Sequence, residues 1–538
     1  MFDRHWRERA LAALGGGFDL VVVGGGINGC GILYDAALRG LAVLLVERGD
    51  LASGTSSRSS KLVHGGLRYL RQLDLRTTRL SCRERDRHLR LDPDLVEPLP
   101  FIYPARRGEA LKGWQLDLAL GLYDRLTAGP ERHRRIGAEE ALALAPGLDL
   151  GALDRVLAYR DARVDDARLV FAVAASAAAA GALVLTRVEV ERGHADAGGR
   201  LRRLVLRDLE SGRAHEVEAR VVVNAAGVAV DEIRHRCGLE GRRLRPSRGS
   251  HLLLPAGRLA LASAVSFPAA DGRPVFVVPH PEGILVGTTD LFHDGPLDDP
   301  RPSRAEVDYL FAAVRDRFPA ARLAASDVAG TFAGLRPILD HGAKSPSEAR
   351  RDEGIWEESG LLSVAGGKLT TWRVTAEEVV DAVVARLPEE RAARLAPCLT
   401  AGAPLAGRCP LDLAARLAEG RGLDPAVAAA LARRLRALAW LALDLARGPA
   451  ELAPLAPGAD LTVAEARVHL RHGAVARLED LLLRRTRIGM WSPALALELA
   501  PLLRPVFGDE LGWSSARFDA ELDGLEAALA GWRPEGVR

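Results

Sequence analysis

The sequence predicts an α/β chain: a doubly wound sheet with a second, α+β region inserted into it and an all-helical end. Two observations carry that prediction. Near the start, an apolar run, a glycine turn, a helical repeat and a second apolar run succeed one another in under 30 residues, and strand-like runs stop at about residue 395. Asp19–Val23 (DLVVV) is continuously apolar and ends in Gly24-Gly25-Gly26, the pattern of a central parallel strand buried on both faces. From Ile27 to Arg39 the apolar residues Ile27, Ile32, Leu33, Ala36 and Ala37 keep helical spacing, and Gly40 supplies a C-terminal cap. Leu41–Val46 is a second buried strand leading to Glu47, which completes a βαβ unit.

Further on, 166–180 reads as a helix and 182–188 as a strand. Leu201–Asp208 and 214–219 flank Ser211-Gly212 as a hairpin, and 220–224 is another buried strand running into Ala225-Ala226-Gly227. Residues 241–355 alternate short strands (251–254, 275–278, 284–286) with turns, interrupted by a helix at Arg304–Arg317. A late strand at 361–364 precedes Gly366-Gly367 and a helix at 370–387. These elements divide the chain into a discontinuous nucleotide domain (1–80, 151–240, 356–390), a substrate or cap domain (81–150, 241–355) and a helical domain (395–538).

The 538 residues are 48% hydrophobic and 27% charged, enough apolar material for a sizeable core. Lys+Arg (73) nearly balance Asp+Glu (71), so the whole chain has no basic excess to draw it to nucleic acid. The five cysteines (Cys30, Cys82, Cys237, Cys398, Cys409) are scattered, which excludes a disulfide scaffold and a zinc fold and suits a reducing compartment. No secretory signal is read at the start. The window Leu169–Thr186 has eighteen residues without a charge, but eight are Ala and Gly181 divides it. It reads as a helix followed by a strand, so the expectation is a protein in solution or at a membrane surface.

Gly24, Gly26 and Gly29 fit the GxGxxG dinucleotide fingerprint. Gly24 permits the tight turn, Gly26 lets the backbone approach a pyrophosphate, and Gly29 lets helix and strand pack closely. The phosphates then lie on the helix N-terminus, and Glu47, at the end of the second strand, accepts from ribose hydroxyls. Residues 54–70 (GTSSRSSKLVHGGLRYL) follow directly. Their hydroxyls and backbone N–H groups suit the extended phosphate and ribityl chain of FAD; Thr55, Ser56, Ser57, Ser60, Lys61, Leu62, His64, Gly65 and Gly66 are the candidate contacts.

The motifs GGGINGCGILYDAALRGL, TSSRSSKLVHGGLRYL, VDDARLV (164–170), NAAG (224–227), GSH (249–251), GTTD (287–290), LRP (335–337) and GGKLTTWR (366–373) occur in this order. Together they resemble the FAD-dependent glycerol-3-phosphate dehydrogenase family, within the glycine oxidase and D-amino-acid oxidase-like flavoproteins. Residues 465–489 (EARVHLRHGAVARLEDLLLRRTRIG) resemble its helical C-terminal domain. The resemblance implies oxidation of sn-glycerol 3-phosphate to dihydroxyacetone phosphate, with electrons passed to a membrane quinone. It further implies attachment to the inner face of the cytoplasmic membrane and leaves a homodimer open. Arg68, Tyr69, Arg336, Arg351 and Lys368 match the family's substrate contacts, and Arg351 is preferred to Arg350 because Asp352 follows it. Asn28, Val188, Ala226, Gly227, Gly367, Lys368, Leu369 and Thr370 are the further cofactor contacts it implies. Trp372 stands where the family usually has Tyr, and His280 stands near Pro279 where an aromatic pair is common.

The chemistry agrees with the resemblance. Guanidinium forks suit a phosphate of nearly two negative charges, and Arg336 precedes the rigid Pro337. Lys368, one of only four lysines, leads out of Gly366-Gly367 into a helix. Alcohol oxidation needs a hydride acceptor and a base. His251 is the candidate base, His64 its rival, with Thr288, Thr289 and Asp290 placed to orient either and to border the substrate. Three other functions compete: an oxidase using oxygen, an amine or amino-acid oxidase, and a non-catalytic flavin-binding docking protein. For a membrane surface, 102–136 offers Leu111, Trp114, Leu118, Leu122 and Tyr123 at roughly helical spacing, flanked by Arg106, Arg107, Lys112, Arg132, Arg134 and Arg135.

Overall fold

The computed structural model describes residues 2–67, 70, 74–109, 112–127, 129, 132–342 and 353–533. Arg68, Tyr69, Leu111 and Arg351 lie outside the described residues.

The strand Phe18–Val23, wholly buried, is central to the first sheet. Val43–Glu47 lies parallel to it on one side (Leu20 opposite Val43) and Ala214–Asn224 on the other (Leu20 opposite Val221). Leu183–Thr186 and Leu361–Ala365 extend the parallel array, and Gly354–Glu358 closes one edge antiparallel. Three helices, Ile27–Leu38, Asp166–Ala179 and Trp372–Val384, cover one face through a shared core of Ile32, Leu33, Val170, Val173, Val379 and Val383. The stretches 214–219 and 220–224, expected as separate strands, form one, Ala214–Asn224. No turn residue separates them, so the first half completes the antiparallel hairpin with Leu201–Asp208 while the second half joins the parallel sheet.

The second sheet has ten strands among the described residues, including Ser247–Pro255, Gly283–Gly287 and Gly330–Arg336. It also holds Leu153–Val164, antiparallel to Val96–Arg106 from Val96 opposite Val164 to Arg106 opposite Leu153. The expected boundary at 151 is therefore corrected: this strand belongs with the cap sheet. Its intermittently buried residues mark a half-covered antiparallel strand, unlike the continuous apolar runs of the parallel sheet. Among the described residues of 102–136 only Gly113–Leu126 is helical; Val96–Arg106 and Arg134–Ile136 are strands.

The later helices of the C-terminal region pack on the cap sheet, where Leu253, Leu285 and Phe332 share a core with Leu482, Met490, Trp491 and Trp532, while Leu413, Leu417, Leu431 and Leu435 form a core of their own with Val468. A six-residue π-helical turn, Asp480–Arg485, lies at this junction. Among the described residues no helix is long and apolar enough to cross a membrane. The uncharged window at 169–186 is the end of Asp166–Ala179 followed by the strand Leu183–Thr186.

Candidate active site

A groove of about 560 Å³ lies at the far end of the cap sheet, but the glycine turn opens on another, of about 530 Å³. The latter runs from Gly24 and Gly26 past Glu47, Thr55 and Ser56 to Val188, Ala226 and Gly227. The three fingerprint glycines differ in what a side chain would meet. At Gly24 (φ +115°) and Gly29 a Cβ would collide with the backbone of Ala225 and Gly24, respectively. At Gly26 it would meet only Ser56 Oγ, at 3.2 Å, because that face opens on the groove. Glu47 accepts from the N–H groups of Gly25 and Gly49, both at 2.6 Å, and burial raises its pKa. Ile27 N–H donates to Ser56 Oγ (3.0 Å), placing a hydroxyl at the N-terminus of Ile27–Leu38. An elongated cleft with a helix N-terminus at one end and a carboxylate beyond it fits the dinucleotide portion of FAD.

The hydroxyl-rich loop after Gly54 ties this groove to the cap sheet. Thr55 Oγ1 donates to Leu335 O (2.6 Å), next to Arg336. Ser60 Oγ lies 2.8 Å from His251 Nε2. Leu62–Val63 pairs with the end of Leu153–Val164, Gly65 N–H donates to Asp161 (3.0 Å), and Gly66 has φ +79°. On the other side His64 exchanges backbone hydrogen bonds with Thr370 Oγ1 (3.2 and 3.3 Å). Asn28 Nδ2 donates to Gly366 O (3.2 Å), bringing Gly367, Lys368 and Leu369 to the same loop.

Arg336 ends its strand with a side chain a quarter exposed. Its guanidinium donates to Asp290 Oδ1 and Thr288 Oγ1, both at 3.1 Å. On the neighbouring strand Gly249, opposite Gly334, leaves its face to that guanidinium, with which a Cβ there would collide. His251, two residues on, is buried and stacks on Phe332 at 4.7 Å. Burial, then the charges of Arg336 and Lys61, push its pKa well below the usual imidazole value, so it is neutral.

Some expected contacts are placed differently. Lys61 is buried with its ammonium on Asp166 (2.8 Å) and Ser57 O (3.1 Å), behind the loop rather than toward the groove. Thr289 Oγ1 is buried between Ser250 N–H and Glu306 Oε1, and it holds the His251 strand rather than offering a free hydroxyl. Asp290 orients Arg336 instead of a histidine. His280 packs on Trp491 at 5.3 Å. Sequence reasoning assigned no role to Asp166, Asp161 or Arg487. Asp166 stands in the VDDARLV motif, and its two acidic residues before a helix were the available signal.

Residues 19–382 match the FAD dependent oxidoreductase family, and 398–518 match the C-terminal domain of alpha-glycerophosphate oxidase. Glycerol-3-phosphate dehydrogenase 2 of Mycobacterium tuberculosis is 37% identical over 520 residues, covering 94% of this chain and 87% of the relative. The chain belongs to the FAD-dependent glycerol-3-phosphate dehydrogenase family. The crystal structure of the family's Bacillus halodurans member, complexed with FAD, superposes with a TM-score of 0.80 at 29% identity, covering 99% of this chain and 98% of that one. Glycine oxidase from Geobacillus kaustophilus shares the fold (TM-score 0.53, 23% identity, 69% of this chain and 96% of that one).

Proposed function

We propose that this chain oxidises sn-glycerol 3-phosphate to dihydroxyacetone phosphate and delivers the electrons to a quinone at a membrane surface. The observation that carries the reading is a guanidinium fixed by Asp290 and Thr288 beside a neutral, buried histidine, with the loop that borders the FAD groove hydrogen-bonded to that histidine through Ser60 and to the backbone next to Arg336 through Thr55. Arg336 binds the phosphate, and its rigid partners fix the plane of the fork. Lys368 adds a second cation from the opposite side of the loop; Arg68, Tyr69 and Arg351 complete the set by resemblance. FAD, when bound, supplies the hydride acceptor.

The hydroxyl proton goes to His251 Nε2 by way of Ser60 Oγ. Buried, and beside Arg336 and Lys61, the imidazole is a weak base. The incoming phosphate dianion offsets those charges and raises its proton affinity, so the base strengthens only with substrate in place. Four cation candidates (Arg68, Arg336, Arg351, Lys368) suit a phosphate better than the single carboxylate of an amino acid.

Anaerobic titration tests the assignment: glycerol 3-phosphate bleaches the flavin absorbance, while glycerol and glycine leave it. Bleaching by glycine, or by no small molecule, overturns the substrate. The match of residues 398–518 to an oxidase domain makes oxygen the acceptor to test against quinone. Reoxidation of the reduced protein by a soluble quinone much faster than by oxygen supports the quinone reading; rapid peroxide formation overturns it.

The membrane face is assigned to the helix Gly113–Leu126. Trp114 (54% exposed), Leu118 (71%) and Leu122 (37%) recur every four residues and form an apolar stripe on it. The stripe is narrower than expected, because Tyr123 turns inward to Asp161 (3.1 Å).

A further inference from the structure

Beyond the substrate reading, and resting only on FAD binding, we infer that the C-terminal helical domain is a working part of the flavin site, with Arg487 as a positioning residue. Three arginines at 484–487 reach out of that domain to loops and a helix that flank the first sheet. Arg485 grips Asp50 with two hydrogen bonds, Nη1 to Oδ2 and Nη2 to Oδ1, both 2.8 Å, and Arg484 Nε adds a third. Asp50 is buried, directly after the groove-lining residues Glu47, Arg48 and Gly49. Arg487, fully buried, donates from Nη2 to Ser57 O (2.9 Å) and Asp166 Oδ1 (3.1 Å). Lys61 donates to the same two oxygens from the loop itself, and Asp166 Oδ2 accepts from Ser59 N–H and Oγ.

The consequence is a continuous buried network. Arg487 holds Ser57 O and Asp166; these hold Ser59 and Lys61; and Ser60 between them bears on His251. The four residues before Ser57 line the groove. A second contact runs in parallel, since Phe332, on which His251 stacks, lies 5.4 Å from Trp532 of the helical domain. The local backbone is unusual in a matching way: a π-helical turn ends at Arg485, and Arg487 takes φ +66°, a left-handed conformation that side chains seldom adopt. Such conformations persist where surrounding contacts over-determine them, and here those contacts are the oxygens of the loop.

A fastener that merely joins two domains would carry the same ion pairs but would not sense the flavin. Reciprocity separates the two: if the arginine segment stabilises the loop conformation that binds FAD, then FAD stabilises the arginine segment. Hydrogen–deuterium exchange on the full chain, deflavinated and then reconstituted with FAD, reads this without any variant. FAD is expected to slow exchange at least fivefold in peptides spanning 481–490, besides those of the glycine turn and loop. Protection confined to residues of the groove overturns the proposal. In folded Arg487→Met protein the FAD dissociation constant rises at least tenfold and the visible circular dichroism of bound flavin changes, while Arg487→Lys restores most of both. Affinity and dichroism within twofold of the unmodified chain in Arg487→Met overturn it equally. Protein that shows this coupling but is not bleached by glycerol 3-phosphate refutes the substrate assignment and leaves the role of Arg487 standing.

Discussion

Arg336 shows how a residue's partners set its work. Its fork is held by Asp290 and Thr288, so truncation removes a pre-oriented, charge-assisted contact and leaves Asp290 facing an incoming phosphate. Arg336→Ala is expected to cost about 2–5 kcal/mol in transition-state stabilisation, roughly a 30-fold or greater fall in kcat/KM. Arg336→Lys recovers only part, because a point charge lacks the fork; steady-state kinetics with glycerol 3-phosphate checks both. Buried histidines give a second residue-scale prediction. Burial holds His88 at about 4 and His280 at about 3, both depressed from the unfolded value near 6.5. The unfolded chain therefore takes up these protons first. The associated stability is complete above pH ~6.5 and drains as pH falls toward each folded value, about 2 kcal/mol per histidine by pH 5. Asp92, lifted by burial to about 6, opposes part of the loss. Tm is expected to fall between pH 7 and 5, and His88→Gln to flatten the slope; an unchanged slope in that variant would exclude His88. The placed candidates Arg336, His251 and Lys368 were legible because each stands within a short motif. Arg487 and Asp166 were not, because they meet across 321 residues and nothing local announces the pair.

At the scale of the element, the strand–turn–helix unit was legible because each step has its own local signal. The fingerprint assigns each of the three glycines its own task, and the space around each differs in the structure. Gly29 is closed by the carbonyl of Gly24, so Gly29→Val should displace helix from strand and lower Tm by many degrees. Gly26 faces the groove with only Ser56 Oγ near it, so Gly26→Val should fold and lose FAD. Thermal melting of the flavin-free proteins separates them: a near-normal Tm with colourless protein for Gly26→Val, a depressed Tm for Gly29→Val. Yellow Gly26→Val protein would remove the pyrophosphate from this turn. The strand Leu153–Val164 was not legible as part of the cap sheet. Its pairing with Val96–Arg106 spans some fifty residues, and alternation identifies a half-buried strand without naming its sheet.

The whole molecule must bring its flavin groove to a bilayer if a quinone is the acceptor, and the exposed stripe of Gly113–Leu126 is the surface proposed for that task. The flanking bases contribute less than their number suggests. Arg106 pairs with Asp149 and Asp316, Arg134 with Glu140, and Arg135 with Asp117, Arg132 donates to the backbone carbonyl of Asp124, and Arg107 and Lys112 are exposed beside the helix. Attachment by this face is therefore dominated by apolar insertion. Complete transfer of a large apolar side chain contributes about 1.5–3 kcal/mol, so three partly exposed ones give a reversible association. Two consequences can be measured by flotation with anionic liposomes. Trp114→Glu with Leu118→Glu should abolish flotation and leave the protein folded and yellow, since both side chains face solvent. Raising the salt to half-molar should release only a minor fraction of unmodified protein, because salt screens exposed charges and leaves apolar insertion intact. Full release by salt would assign the attachment to basic residues instead, and equal flotation of the double variant would move it away from this helix altogether.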